Sequence, residues 1–215
     1  MRQAASKFLF NYWNDLRKGR TTPVGEHIDP IALNPYIGSI FMLRREQDSV
    51  FSLALAGRHC EALAGQTLRG VAFGSLWDAQ QARDIEAVCN NVVDGLLPVV
   101  IGAAANPLGY PPISLELMLL PLRPNGNHDA MILGSMTPQP GADWLGLRRC
   151  QPFQLVSHRF LPLQPIKNKH STHAELMIRQ EPRKIMQDTA STKRTRGHLA
   201  VYEGGLALNQ HKISR

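Results

Sequence analysis

Residues 50–77 read VFSLALAGRHCEALAGQTLRGVAFGSLW. In the first part Phe51, Leu53 and Leu55 alternate with the small Ser52, Ala54 and Ala56. This is the period of two of a strand with one bulky face and one small face. Gly57, Gly65, Gly70 and Gly74 then break the chain at short intervals, so only short helices fit between them. Upstream, Ile37 to Leu43 reads as a second strand, and the short polar link Arg44 to Ser49 suits a hairpin. Downstream, Asp78 reads as an N-cap with Gln81 as its capping-box partner, and Ile85, Val88, Cys89 and Val92 form a helical stripe that stops at Gly95. Three strands follow: Leu96 to Ala104 (interrupted by Pro98), Ile113 to Leu122, and Ala130 to Thr137. The last two are joined across residues 124–129, where Asn125-Gly126 signals a turn. A further strand fits Phe153 to Leu161, with Val156, His158 and Phe160 alternating with Ser157 and Arg159.

At the start of the chain Ala5, Phe8, Leu9, Tyr12 and Leu16 recur at helical spacing, Trp13 widens the stripe, and Gly19 and Pro23 mark the end. A helix this short is marginal alone in water. Its aromatic face must dock on this domain or on a second copy. Asp29-Pro30 predicts a short turn of helix up to about Tyr36.

The chain of 215 residues is long enough for one ordinary domain with a remainder, and 43% apolar with 19% charged residues suits a globular core. The net charge of +7 is unevenly placed. From residue 165 onward ten basic residues face four acidic ones, a net of +6, whereas the preceding residues hold 14 against 13. The last segment is also poor in large apolar residues and is expected to be flexible. The predicted organisation is an N-terminal amphipathic helix over 1–22, a domain over 23–162, and a basic tail over 163–215. Within the tail, His198 to Gly205 (HLAVYEGG) is a small apolar island, read either as a docking motif or as a remnant of disorder. No stretch has the roughly 20 apolar residues of a membrane span, and the first twenty residues lack a secretory pattern. A cytoplasmic protein is expected.

The order strand, strand, several short helices, one long helix, three strands resembles the PAS fold. Two motifs carry the resemblance further. Residues 10–43 are similar to a bacterial single-domain PAS family, common in alphaproteobacteria, in which a YW-x-x-L-R-x-G-R helix end precedes D-P-x-x-L. Here these are Tyr12, Trp13, Leu16, Arg17, Gly19 and Arg20, then Asp29, Pro30 and Leu33. Leu68, Arg69, Gly70 and Leu76-Trp77 match a second cluster. The resemblance implies an α+β fold: a five-stranded antiparallel sheet with helices on one face and a pocket between them. It leaves the activity open, because its motifs are structural.

Gly57-Arg58-His59-Cys60 echoes the GRNC of flavin photoreceptors, but their cysteine lies on a later helix, nearer the position of Phe73. Ile113 to Leu122 and Ala130 to Thr137 also hold no amide side chain to fix a flavin ring. Flavin is disfavoured. Haem needs an axial ligand facing an apolar pocket, and His59 alone is a weak candidate. The cofactor, if one exists, is not named by the sequence. Cys60, Cys89 and Cys150 have neither disulfide nor zinc spacing, and His170 with His173 is too sparse a pair for a metal site. No hydrolase, metalloprotease, P-loop or dinucleotide motif is present, so no enzyme is expected. Lys193 to Arg196 offers phosphate contacts to nucleic acid, but Tyr202 is the lone tail aromatic for stacking.

The resulting expectation is a sensory or regulatory protein of signal transduction that binds a small ligand or a protein partner. The alternatives are a ligand-free interaction scaffold and a nucleic-acid-associated regulator acting through the tail. The expected pocket lining is Ser52, Ala54, His59, Phe73, Leu76, Trp77, Val100, Leu117 and Ile132. Phe8, Leu9, Tyr12 and Leu16 are the expected homodimer interface.

Overall fold

Six stretches of alternating residues become strands in the computed structural model, which describes residues 1–107, 109–123, 130–140, 150 and 152–163. They are β1 (Ile40–Arg45), β2 (Phe51–Ala56), β3 (Val99–Ala105), β4 (Ile113–Leu122), β5 (Met131–Pro138) and β6 (Phe153–Phe160). All pair antiparallel in one sheet of order β2-β1-β5-β4-β3-β6. The sheet holds the five strands of the expected PAS fold and the further strand read over Phe153 to Leu161. β6 supplies the extra strand, running along β3 from Ala105↔Phe153 to Val99↔Phe160. The Asn125-Gly126 turn, His128, His170, His173, Lys193 to Arg196 and His198 to Gly205 lie outside the described residues, as does the tail beyond residue 163.

Three α-helices accompany the sheet: α1 (Ala4–Leu16), α2 (Arg58–Ala64) and α3 (Ala82–Gly95). α2 and α3 pack on one face, here called the inner face, with Phe41, Leu117 and Ile132 beneath them. The N-terminal helix α1, expected to dock on this domain or on a second copy, crosses β4 and β5 on the other side. The reason lies in β4. Residues 117–122 are apolar at every position and buried on both faces, a pattern that requires cover on each side. Leu9 and Trp13 of α1 join Met118, Leu120 and Leu133 in this outer core.

Hydrogen bonds fix α1 to the sheet at both ends. At its start no side chain of the helix acts as a cap. Instead the Glu116 carboxylate of β4 accepts the backbone N–H of Arg2 (2.7 Å) and of Gln3 (3.0 Å). At its end the buried Trp13 Nε1 donates to the Pro121 carbonyl at 2.8 Å. Pro121 is tolerated in β4 because it lies past the last β3 pair, Val99↔Leu119. The two halves of the opening motif also bind each other: the Asp29 N–H donates to the Tyr12 hydroxyl at 2.8 Å. Arg17, only 6% exposed, donates from Nε to Asn14 Oδ1 and from Nη1 to the Arg20 carbonyl.

Three local expectations shift. Asp29 Oδ1 accepts the Ile31 N–H, but the helical segment is a 3-10 helix over Asn34–Ser39, with Pro35 in its first turn, rather than an α-turn ending at Tyr36. β1 accordingly begins at Ile40 rather than Ile37. After α3, Leu96 takes the left-handed conformation (φ 53°) instead of Gly95, and β3 starts only after Pro98. In the hairpin the register steps from Leu43↔Leu53 to Met42↔Leu55, so Ala54 is the extra residue of a bulge. The bulge turns Leu55 away from the face shared by Phe51 and Leu53 and leaves it 45% exposed. Close approach requires glycine at position 134, among others. A Cβ at Gly134 of β5 would overlap the Phe41 ring that lies across it.

Candidate functional site

Residues 57–81 form a roof over the inner face. Gly65, at φ 63°, ends α2, and Leu68 is buried beneath the following turn. Residues 70–72 then close the free edge of β2: Leu53 N–H donates to Val71 O (2.9 Å), and Gly70 N–H donates to Leu53 O (2.8 Å). A 3-10 turn, Phe73–Leu76, drops Phe73 and Leu76 into the core, and Trp77 follows. A chain of rings results: Phe41 to Phe73 at 5.7 Å, Phe73 to Trp77 at 5.8 Å, and Trp77 to Phe153 at 5.9 Å between centroids. The latter two contacts are edge-to-face, a favourable aromatic arrangement. Trp77 is only 3% exposed, yet its Nε1 has no hydrogen-bond partner among the described residues. Keeping such a donor from water without an acceptor costs about 1–3 kcal/mol.

The same segment clamps β6. Asp78 N–H donates to Phe153 O at 2.8 Å. The Gln81 side chain then pairs with Leu155 on both sides: Oε1 accepts the Leu155 N–H at 2.7 Å and Nε2 donates to the Leu155 carbonyl at 3.2 Å. The expected capping box is therefore corrected. Asp78 Oδ1 accepts the Gln80 N–H, while the Gln81 amide replaces a length of backbone at the strand edge. Sequence reasoning placed Gln81 in a local motif because its true partner lies 74 residues away.

Of the expected lining, Phe73, Leu76, Trp77, Leu117 and Ile132 converge in the inner core. Val100 does not. It is paired with Met118 and packs with the outer core. Ser52 points away from the face of Phe51 and Leu53, and its hydroxyl donates to the Glu46 carboxylate. Ala54 is the half-buried residue of the bulge. The strands turn their bulky faces toward the roof, so the small faces expected to line a pocket point elsewhere. His59 is exposed, with its ring over Gly38 and its Nδ1 3.3 Å from Ser39 Oγ. It borders a separate cleft of about 560 Å3 with Tyr36, Ile37 and Arg58, so it does not offer an axial ligand to the aromatic cluster. Of the proposed interface residues, Leu9 is fully buried on its own sheet. The Phe8 ring lies 5.0 Å from that of Tyr36 between centroids, tilted by 47°, and Phe8, Tyr12 and Leu16 are half-buried.

The three cysteines are buried and unbridged. Burial pushes the Cys60 thiol up to about 12 and the Cys89 and Cys150 thiols upward as well, which keeps all three protonated and poorly nucleophilic near neutrality.

A sequence model described as the PAS domain matches residues 1–137. The chain belongs to the PAS domain family. Comparison with the curated proteins finds no match. The PAS match covers α1, the roof, α3 and the first five strands in their entirety or nearly so, but β6 and Phe153 lie beyond it. A sensory or interaction role, in general terms, comes with the PAS domain. No helix among the described residues is long and apolar enough to cross a membrane.

Proposed function

We propose that this PAS domain is a non-catalytic sensory module of signal transduction that takes a small, mainly apolar ligand against the Trp77 cluster. The observation that carries the reading is the buried Trp77 indole N–H, packed in a cluster of four aromatic rings and without an acceptor among the described residues. A ligand with a carbonyl oxygen would satisfy that donor and replace ring contacts with its own apolar surface. The rings already touch, so Phe73 or Trp77 must swing to admit it, and both belong to the roof rather than to the sheet. Ligand binding would then favour one roof position over another, which is the differential affinity a switch needs.

A second reading is a ligand-free interaction scaffold. It is favoured by the near-zero exposure of Phe73, Leu76, Leu117 and Ile132, which fill the inner core with side chains. One experiment separates the two. Native mass spectrometry of the freshly purified full chain is expected to show a bound small molecule that is absent from Trp77→Phe. A bare mass for the parent, together with no thermal stabilisation by a panel of small carbonyl compounds, would favour the scaffold and remove the ligand.

A further inference from the structure

The outer face of the sheet is only partly covered. α1 lies across β4 and β5, and past its N-terminal end an open cleft of about 500 Å3 runs over β3, β4 and β6. Val100, Gly102 and Ser114 line it from the sheet, and Arg2, Ser157 and Arg159 line its sides.

The position of Arg159 is a product of the strand's geometry. Phe153 and Leu155 of β6 pair with Ala105 and Ala103 and face the inner core. Simple alternation would send residues 157 and 159 the same way. The register instead shifts between Gly102 and Ala103, with Val156 as the extra residue. Bulges re-aim side chains in this manner. Ser157 now stands opposite Gly102 and Arg159 opposite Val100, on the outer face, while Phe160 returns to the inner core. Gly102 keeps the cleft floor low, since a Cβ there would stand 2.8 Å from Ser157 Oγ.

Charge in the cleft is unbalanced. The ion pairs found among the described residues are Arg44 with Glu46 and Arg45 with Asp94, and Arg159 takes part in neither. The acidic group of the cleft, Glu116, already receives two backbone N–H groups, one on each oxygen. Arg2 and Arg159, both exposed, therefore line an open volume in the size range of small-ligand pockets. Ser114 and Ser157 belong to the same lining.

We infer that this outer cleft binds a small oxyanion, a carboxylate or phosphate group, received by the Arg159 guanidinium with Arg2 opposite. A planar fork of N–H donors matches either group in bidentate fashion. The cleft lies on the other face of the sheet from Trp77, so it stands or falls separately from the ligand proposed there.

The test is NMR titration of the labelled full chain with inorganic phosphate and, separately, with succinate. The expected result is saturable shifts of the Ser157 and Arg159 amide signals with one anion displacing the other. The apparent affinity in Arg159→Gln should be at least about tenfold weaker, the loss expected of a charge-assisted bidentate contact. Arg83→Gln, an exposed arginine of α3, controls for general charge and should leave the affinity unchanged. Because every variant keeps the cationic C-terminal segment, non-specific attraction cancels in the comparison. Arg2→Gln should weaken binding in the same direction as Arg159→Gln. The inference is overturned if neither anion produces saturable shifts up to roughly tens of millimolar, the weak limit of a useful site. It is equally overturned if Arg159→Gln binds like the parent, or if Arg83→Gln weakens binding to the same extent.

Discussion

Removing the Gln81 amide leaves the Leu155 N–H and carbonyl without partners at the sheet edge. Both are only partly buried, so water can replace part of what is lost. Gln81→Ala is therefore predicted to cost about 1–2 kcal/mol in urea unfolding, the net worth of one to two hydrogen bonds. Hydrogen exchange at Leu155 should accelerate while exchange in β4 stays unchanged. Gly134→Ala should be the harsher change. Its methyl group would overlap the Phe41 ring, and overpacking of this kind costs about 1–3 kcal/mol, measurable by the same unfolding curves. At this scale the sequence was informative about burial and poor about partners. Trp77, Leu76 and Phe73 stood out as apolar residues in a glycine-broken segment, and they are buried. Local pattern pointed Gln81 to a helix cap and left Glu116 unmarked, because their partners lie 74 and 113 to 114 residues away.

At the scale of the elements, α1 is the case in which pattern and placement separate. Its stripe of Leu9, Trp13 and their neighbours was legible as a helix, but the face it would cover was not, since a stripe states only that cover is needed. The cover is the outer face of β4 and β5, and two polar contacts hold it there. Burial pushes the Glu116 carboxyl up, but the N–H groups of Arg2 and Gln3 and the nearby Ser6 hydroxyl outweigh this and leave it below its ordinary value. Such a group binds fewer protons folded than unfolded, so its contribution is present near neutrality and is lost as the pH falls through the carboxylate range. Glu116→Gln should therefore reduce the loss of stability on acidification and lower the stability at neutral pH, as read from thermal melts between pH 3 and 7, roughly the span over which carboxylates titrate. Trp13→Phe keeps most of the apolar surface but strands the Pro121 carbonyl. It should cost about 1–3 kcal/mol, with faster exchange along α1 and little change in α3.

At the scale of the whole molecule, one twisted sheet serves two cores. The helices α2 and α3 with the roof close one core, and α1 closes the other. The order of elements made the antiparallel sheet readable, and all six strands were legible from alternation and turn residues, although β1 and β3 begin three residues later than their patterns suggest. The two bulges were not. Each inserts one residue, at Ala54 and at Val156, and each reverses which side chains face inward beyond it. That reversal accounts for the exposure of Leu55 and for the outward turn of Arg159. The sixth strand couples the roof to the far edge of the sheet, through Trp77 against Phe153 and Gln81 against Leu155. A roof displaced by a ligand at Trp77 would therefore be felt by β6 first.

The most direct measurement is an indole N–H NMR spectrum of the isotope-labelled full chain, recorded as purified and again after bound small molecules are removed by unfolding and refolding. Trp13, already bonded to Pro121, serves as the internal reference. The account predicts that the Trp77 indole signal moves on removal and returns when the extract is restored, while the Trp13 signal stays in place. Superimposable Trp77 signals in all three spectra would contradict it.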